Sequence, residues 1–180
     1  MGDSLRRTYA IAYNTFIEAV RNRAFITLLI LAVLFVVFSI ALSGLAVADQ
    51  QIRVLKDFGL FSVSTLSIII SIVMGSILIY KEIEKKTFYV ILTKPIRRLE
   101  VIIGKYFGLL AILAILNAIL TSAWVISLAA KGGGFSIEYL KSATLIFFET
   151  AIITSVVIFF SSFSTPITSG VLAGGVFVVG

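Results

Sequence analysis

Apolar and polar positions in this chain fall into long blocks instead of the short alternations of a soluble domain. Residues 24–48, 58–80 and 106–130 contain no Asp, Glu, Lys or Arg, and each block exceeds the roughly 20 residues that carry a helix across a ~30 Å hydrocarbon core. All three are predicted to span a bilayer, the third from residue 104 onward. A fourth span is predicted over residues 139–163, interrupted by one acid, Glu149. Residues 166–180 begin a fifth that is too short for a comfortable crossing, so the chain is expected to be part of a longer membrane domain. Ahead of the first span, Tyr9, Tyr13, Phe16, Ile17 and Val20 recur at helical spacing, with Arg7, Asn14, Glu18 and Arg21 on the other side. That pattern predicts an amphipathic helix within residues 1–23, lying in the cytoplasmic headgroup region; a short soluble helix is the competing reading. The expected fold is all-α and polytopic: four complete transmembrane helices and the start of a fifth, preceded by an amphipathic cytoplasmic helix, in a single domain over residues 1–180.

Composition narrows the chemistry. Apolar residues make up 59% of the chain and charged residues 13%, with a mean hydropathy of +1.12, which places it in the membrane class. The first apolar block is too long for the core of a signal peptide and is expected to remain as a helix. With no Cys and no His, disulfides, thiolate metal sites and the commonest general base are all missing, so no enzymatic activity and no cofactor or metal are expected on this chain.

The net charge of +6 reflects topology, not nucleic acid, because the basic residues lie between spans instead of forming a patch on a polar surface. Eleven Lys and Arg residues fall before the first span or between the second and third: Arg6, Arg7, Arg21, Arg23, Lys81, Lys85, Lys86, Lys94, Arg97, Arg98 and Lys105. Only four, Arg53, Lys56, Lys131 and Lys141, fall in the other two loops. Positive charge accumulates in short cytoplasmic loops, so the N-terminus and the second loop are expected to be cytoplasmic, with loops 49–57 and 131–138 on the opposite side. Gly132, Gly133 and Gly134 read as a flexible turn. Small residues recur every four positions at Ser67, Ser71 and Gly75, at Gly104 and Gly108, and at Gly170 and Gly174; packing within one bundle is favoured over a dedicated dimer interface.

The second loop has more organisation than orientation requires. Tyr80, Ile83, Thr87, Val90 and Ile91 share one side of a predicted helix, and Glu82 lies three and four residues from Lys85 and Lys86. Pro95 disfavours helix at Lys94, which is expected to turn the chain back to the membrane, where Arg97, Arg98 and Lys105 anchor the next span. This run, "EIEKKTFYVILTKPIRRLEVIIGKYFG", resembles the segment after the second span in ABC transporter permeases of the type 2, exporter-like class. The amphipathic N-terminal helix and the "SSFSTPITSG" turn after the fourth span extend the resemblance over nearly all 180 residues. Two features depart from the family pattern: Lys86-Thr87 stands where members usually carry Gly-Thr, and members usually have six spans.

The resemblance implies a permease that meets a separate ABC ATPase through a coupling helix at residues 82–92 and an elbow helix at residues 8–23. It places the ATPase contact at Glu82, Ile83, Glu84, Thr87, Val90, Ile91, Lys94, Pro95, Arg97 and Arg98. It also implies a second permease copy, residence in the cytoplasmic membrane, and ATP and Mg on the partner. No phosphate-binding loop occurs in this chain, since Gly104-Lys105 is followed by Tyr106. Glu149 is expected about ten residues into the fourth span, ~15 Å deep, where a charge costs around 2.5 to 3.5 kcal/mol and needs a partner such as the hydroxyl of Ser67 or Ser122. A polar bundle contact is favoured over a substrate or proton site at that residue. An ion-coupled transporter using Glu149 and a non-transport membrane scaffold are the alternative functions.

Overall fold

The computed structural model describes residues 2–45, 50–84, 98–133 and 137–179. These form six helices and no strands: α1 (Gly2–Arg21), α2 (Arg23–Leu45), α3 (Gln51–Glu84), α4 (Arg98–Ala130), α5 (Ile137–Ser161) and α6 (Pro166–Val179). Four of them, α2 to α5, are long and apolar enough to cross a membrane, and α6 is a shorter apolar helix.

Local chemistry sets several helix ends. The Asn22 side chain accepts a hydrogen bond from the Ala24 N–H at 3.1 Å, capping α2 and separating it from α1. Gly132 sits at φ +81°, and the N–H groups of Gly132 and Gly133 return to the carbonyls of Ala129 and Leu128 at 3.1 and 3.0 Å. This paired closure satisfies the last carbonyls of α4 and requires the left-handed backbone glycine adopts freely. Pro166 opens α6, where its missing N–H costs nothing.

The helices are longer than the apolar blocks. α3 starts at Gln51, so most of the loop expected at residues 49–57 is helix, and α4 starts at Arg98 rather than residue 104. Hydropathy marks the slab a helix crosses, whereas backbone hydrogen bonding continues past the slab wherever no breaker intervenes.

α3 is the centre of the bundle, packed on α2, α4, α5 and α6. Within their most apolar windows 56% of α3 is buried, against 22% of α2 at the periphery. The main core is built from Val63, Leu66, Ile70, Met74 and Leu78 of α3, and Leu109, Leu113, Leu116, Leu120 and Trp124 of α4. Ile68, Ile153, Val157 and Ala173 form a second cluster among α3, α5 and α6.

α1 packs mainly on α4, with Phe16 of its apolar row against the core and Tyr9, Tyr13 and Val20 of that row exposed. Tyr9 and Tyr13 stack on each other at 6.5 Å and are exposed, while Thr15 and Ala19 are buried. The reason lies in the partner: a Cβ at Gly104 would stand 2.9 Å from the Ile11 side chain, and one at Gly108 would stand 2.5 Å from the Ala12 carbonyl oxygen. Two glycines thus let α1 approach backbone to backbone, at the Thr8 and Ala12 carbonyls.

Candidate functional site

α5 meets α3 along a row of small polar contacts. Ser64, Ser67, Ser71 and Gly75 lie on one face of α3 by helical spacing. At the start of the row, the Ser64 hydroxyl donates to Glu149 Oε2 at 3.0 Å. Glu149 has twelve α5 residues on either side, which puts it ~18 Å from each helix end. The hydroxyl that reaches it belongs to Ser64; Ser122 donates within its own helix to the Ile119 carbonyl, and Ser67 Oγ is buried with no hydrogen-bond partner.

Further along, Ser71 Oγ and Thr154 Oγ1 are 2.7 Å apart. Thr154 donates its single proton to the Thr150 carbonyl at 2.6 Å, so Ser71 is the donor between them. Gly75 comes next, where a Cβ would lie 2.7 Å from Val157 Cγ1. One residue beyond, Ser76 joins three helices: its carbonyl accepts from Ser161 Oγ of α5 at 3.5 Å, and its hydroxyl accepts from Ser169 Oγ of α6 at 3.2 Å. Ser76, Ser161 and Ser169 are all buried. Ser76 is two turns from Glu84, the last described residue of α3.

The other end of the bundle is closed by Trp124. Its indole N–H donates to the Leu55 carbonyl at 3.2 Å, and its ring stacks edge-on against Tyr139 at 5.2 Å. Lys56 Nζ lies 5.4 Å from the centre of the Tyr139 ring. Gly59 leaves the space the indole fills, since a Cβ there would fall 2.2 Å from Trp124 Cδ1. α4 also grips α5 lower down: Asn117 Nδ2 donates to the Ala143 carbonyl at 3.0 Å, and Tyr106 Oη to the Ala151 carbonyl at 3.3 Å.

Of the expected ATPase-contact residues, Glu82, Ile83 and Glu84 continue α3 without a break, and Arg98 begins α4. Thr87, Val90, Ile91, Lys94, Pro95 and Arg97 lie outside the described residues. Lys105, expected as a headgroup anchor, is 6% exposed, one residue from the glycine on which α1 rests. The rows of small residues have separate uses. Ser71 and Gly75 face α5, Gly104 and Gly108 face α1, Gly170 approaches Ile72 at an ordinary 3.6 Å, and Gly174 has nothing within 4 Å of a built Cβ.

Ser76, Ser161, Ser169, Gly59 and Trp124 were not singled out by sequence. Ser76 falls one position off the four-residue row, and Trp124 stands in an uninterrupted apolar block where any large residue fits the pattern. Trp124 is nevertheless the chain's sole tryptophan, and an indole N–H in an apolar block needs a carbonyl, which is the signal that points to it. Among the described residues, no group of three or more acidic, His or Cys side chains is placed to hold a metal ion.

A search of curated proteins finds no match to this chain. A family model described as ABC-2 family transporter protein matches residues 9–180, a span taking in every described helix from α2 to α6 and most of α1. This multi-pass helical chain therefore belongs to the ABC-2 transporter family, as a membrane transport component.

Proposed function

We propose that the chain is the permease subunit of an ATP-driven transporter, moving its substrate across the cytoplasmic membrane with energy from a separate ABC ATPase that binds ATP and Mg. Its N-terminus and the loop between α3 and α4 face the cytoplasm, and a second permease copy completes the pathway. The ATPase contact comprises Glu82, Ile83, Glu84, Thr87, Val90, Ile91, Lys94, Pro95, Arg97 and Arg98, with residues 82–92 as the coupling segment.

The observation that carries this reading is the unbroken length of α3. Its 34 residues extend ~51 Å at 1.5 Å per residue, well beyond a ~30 Å hydrocarbon core. A force on the Glu84 end is therefore delivered along a continuous helix into the centre of the bundle. Ser76 lies on that path and links α3 to both α5 and α6, so a shift of α3 moves the two helices behind it. Nucleotide state has to stabilise two helix arrangements to different extents through this contact.

Charge reversal at Glu82 and Glu84, or Pro95→Ala, is expected to uncouple ATP hydrolysis from transport while leaving membrane insertion intact. Normal ATPase stimulation and normal transport by these variants would remove residues 82–98 from the contact. Glu149 is assigned as a polar bundle contact satisfied by Ser64. Its central depth favours one competing reading, a substrate or ion site in the membrane. Loss of transport in Glu149→Gln with normal insertion would favour that reading over the bundle contact.

A further inference from the structure

α3 and α5 run in the same direction, since their contacts advance together along both helices: Ser64 with Glu149, Ser71 with Thr154, Ser76 with Ser161. Their facing surfaces open toward the Ser64 end. At Gly75 a Cβ would stand only 2.7 Å from Val157 Cγ1. One turn back, two short side chains still meet, with Ser71 Oγ and Thr154 Oγ1 2.7 Å apart. A further turn back on each helix stand Ser67 and Thr150, on the same two faces by helical spacing. Both are 1% exposed, yet Ser67 Oγ makes no hydrogen bond to Thr150 or to anything else. At Ser64, contact returns because the longer Glu149 side chain crosses the opening.

Ser67 is the exception among the buried hydroxyls of the described residues, since every other one has a hydrogen-bond partner. A helical serine can turn its hydroxyl to the carbonyl four residues before it, as Ser62 does to Phe58 at 2.7 Å. Ser67 leaves that option unused and keeps its proton for the seam. Opposite it are acceptors. Thr150 spends its proton on the Ile146 and Phe147 carbonyls at 2.9 and 2.8 Å, so it offers only lone pairs, and the Glu149 carboxyl has lone pairs beyond the one that Ser64 occupies. One donor and two acceptors thus surround an opening that none of them closes directly. An unpaired polar group at this depth is costly, and a molecule that accepts one hydrogen bond and donates two satisfies all three groups.

We propose that this opening is a binding site for a single water molecule, which accepts from Ser67 and donates to Thr150 Oγ1 and to the Glu149 carboxyl. The site extends the assignment of Glu149 as a bundle contact, and it holds whether or not residues 82–98 dock an ATPase.

The full chain is reconstituted in bilayers and its infrared spectrum recorded in ordinary water and in water carrying oxygen-18, with the Glu149 carboxyl band identified by its loss in Glu149→Gln. The difference between the unaltered chain and Ser67→Ala is expected to contain an O–H stretch that moves with the oxygen isotope. Ser67→Ala is also expected to shift the Glu149 band, although no direct bond joins the two residues. Its folding equilibrium constant should fall about three-fold, the worth of an average hydrogen bond between membrane helices; a hydroxyl with no partner would instead be replaced by a methyl without loss. A Glu149 band that Ser67→Ala leaves in place, or an isotope-sensitive stretch that is missing from the difference, overturns the proposal. So does a Glu149 band that shifts when choline chloride is exchanged for sodium chloride, which would put a cation in the opening and favour the ion-site reading of Glu149.

Discussion

α5 is held on its two sides by different chemistry. Against α4 it receives long side chains that reach its backbone: Asn117 to the Ala143 carbonyl, Tyr106 to the Ala151 carbonyl, with Trp124 stacked on Tyr139. Against α3 it meets short hydroxyls, a carboxyl and a glycine: Ser64 with Glu149, Ser71 with Thr154, Gly75 with Val157. The first kind of contact fixes geometry, because the indole that packs on Tyr139 is itself wedged at Gly59 of α3 and bonded to the Leu55 carbonyl, and so has one position. The second kind is built from short hydroxyls, one of which, Thr154, accepts across the seam while donating to its own helix. Such side chains exchange partners at little cost, since the local backbone carbonyl is always within reach. The contrast assigns the rigid role to α4 with the Trp124 end, and the adjustable role to the seam that leads toward Glu84.

The largest test of this contrast is at the rigid end. Trp124→Ala is expected to destabilise the bundle by about 3 to 5 kcal/mol through the cavity it leaves, measured by reversible unfolding in bilayers. Trp124→Phe, which keeps most of the bulk but removes the N–H that reaches the Leu55 carbonyl, should cost about 1 kcal/mol. Equal losses for the two variants would mean that the hydrogen bond, not the packing, makes this end rigid.

Gly108→Ala comes next, since its methyl would press on the Ala12 carbonyl oxygen. Overpacking of this kind costs about 1 to 3 kcal/mol, and the loss should appear as faster hydrogen exchange in α1 with α2 to α6 unaffected. Gly174→Ala, with open space around its Cβ, is the matched control and should change nothing.

The smallest effect is expected in the seam. A double-mutant cycle on Ser71→Ala and Thr154→Val should give a coupling of about 0.6 kcal/mol, the average for hydrogen bonds between membrane helices. A coupling near 2 kcal/mol would make the seam as fixed as the Trp124 end and remove the contrast. Ser76→Ala should likewise cost little stability while lowering transport per ATP hydrolysed more than Ser122→Ala, whose hydroxyl bonds only its own helix.

Much of the architecture was legible from charge and hydropathy. Three uncharged blocks and a fourth interrupted by Glu149 correspond to four spanning-length helices, and the residues around Lys94 and Pro95 carried the resemblance to the family that residues 9–180 match. Contacts between elements were harder to read. Glu149 was visible as an acid needing a hydroxyl, but several α3 serines lie on one face of that helix; only helix register selects Ser64. The apolar face of α1 was visible too, yet the buried face is the one with Thr15 and Ala19. In a membrane protein, apolar side chains gain little by burial against protein rather than lipid, so hydrophobicity does not report which face packs.

The sequence by itself determined that this chain lives in a bilayer, roughly where it crosses, and to which family it belongs. The first two depend on transfer of residues from water to hydrocarbon, and transfer free energy is a sum over local composition. The tertiary structure alone decided which small residues touch. It gave Gly59 to Trp124, Gly108 to α1, and Ser76 to both α5 and α6. Close packing and hydrogen bonds between helices depend on ångström-scale register, which no run of apolar letters encodes.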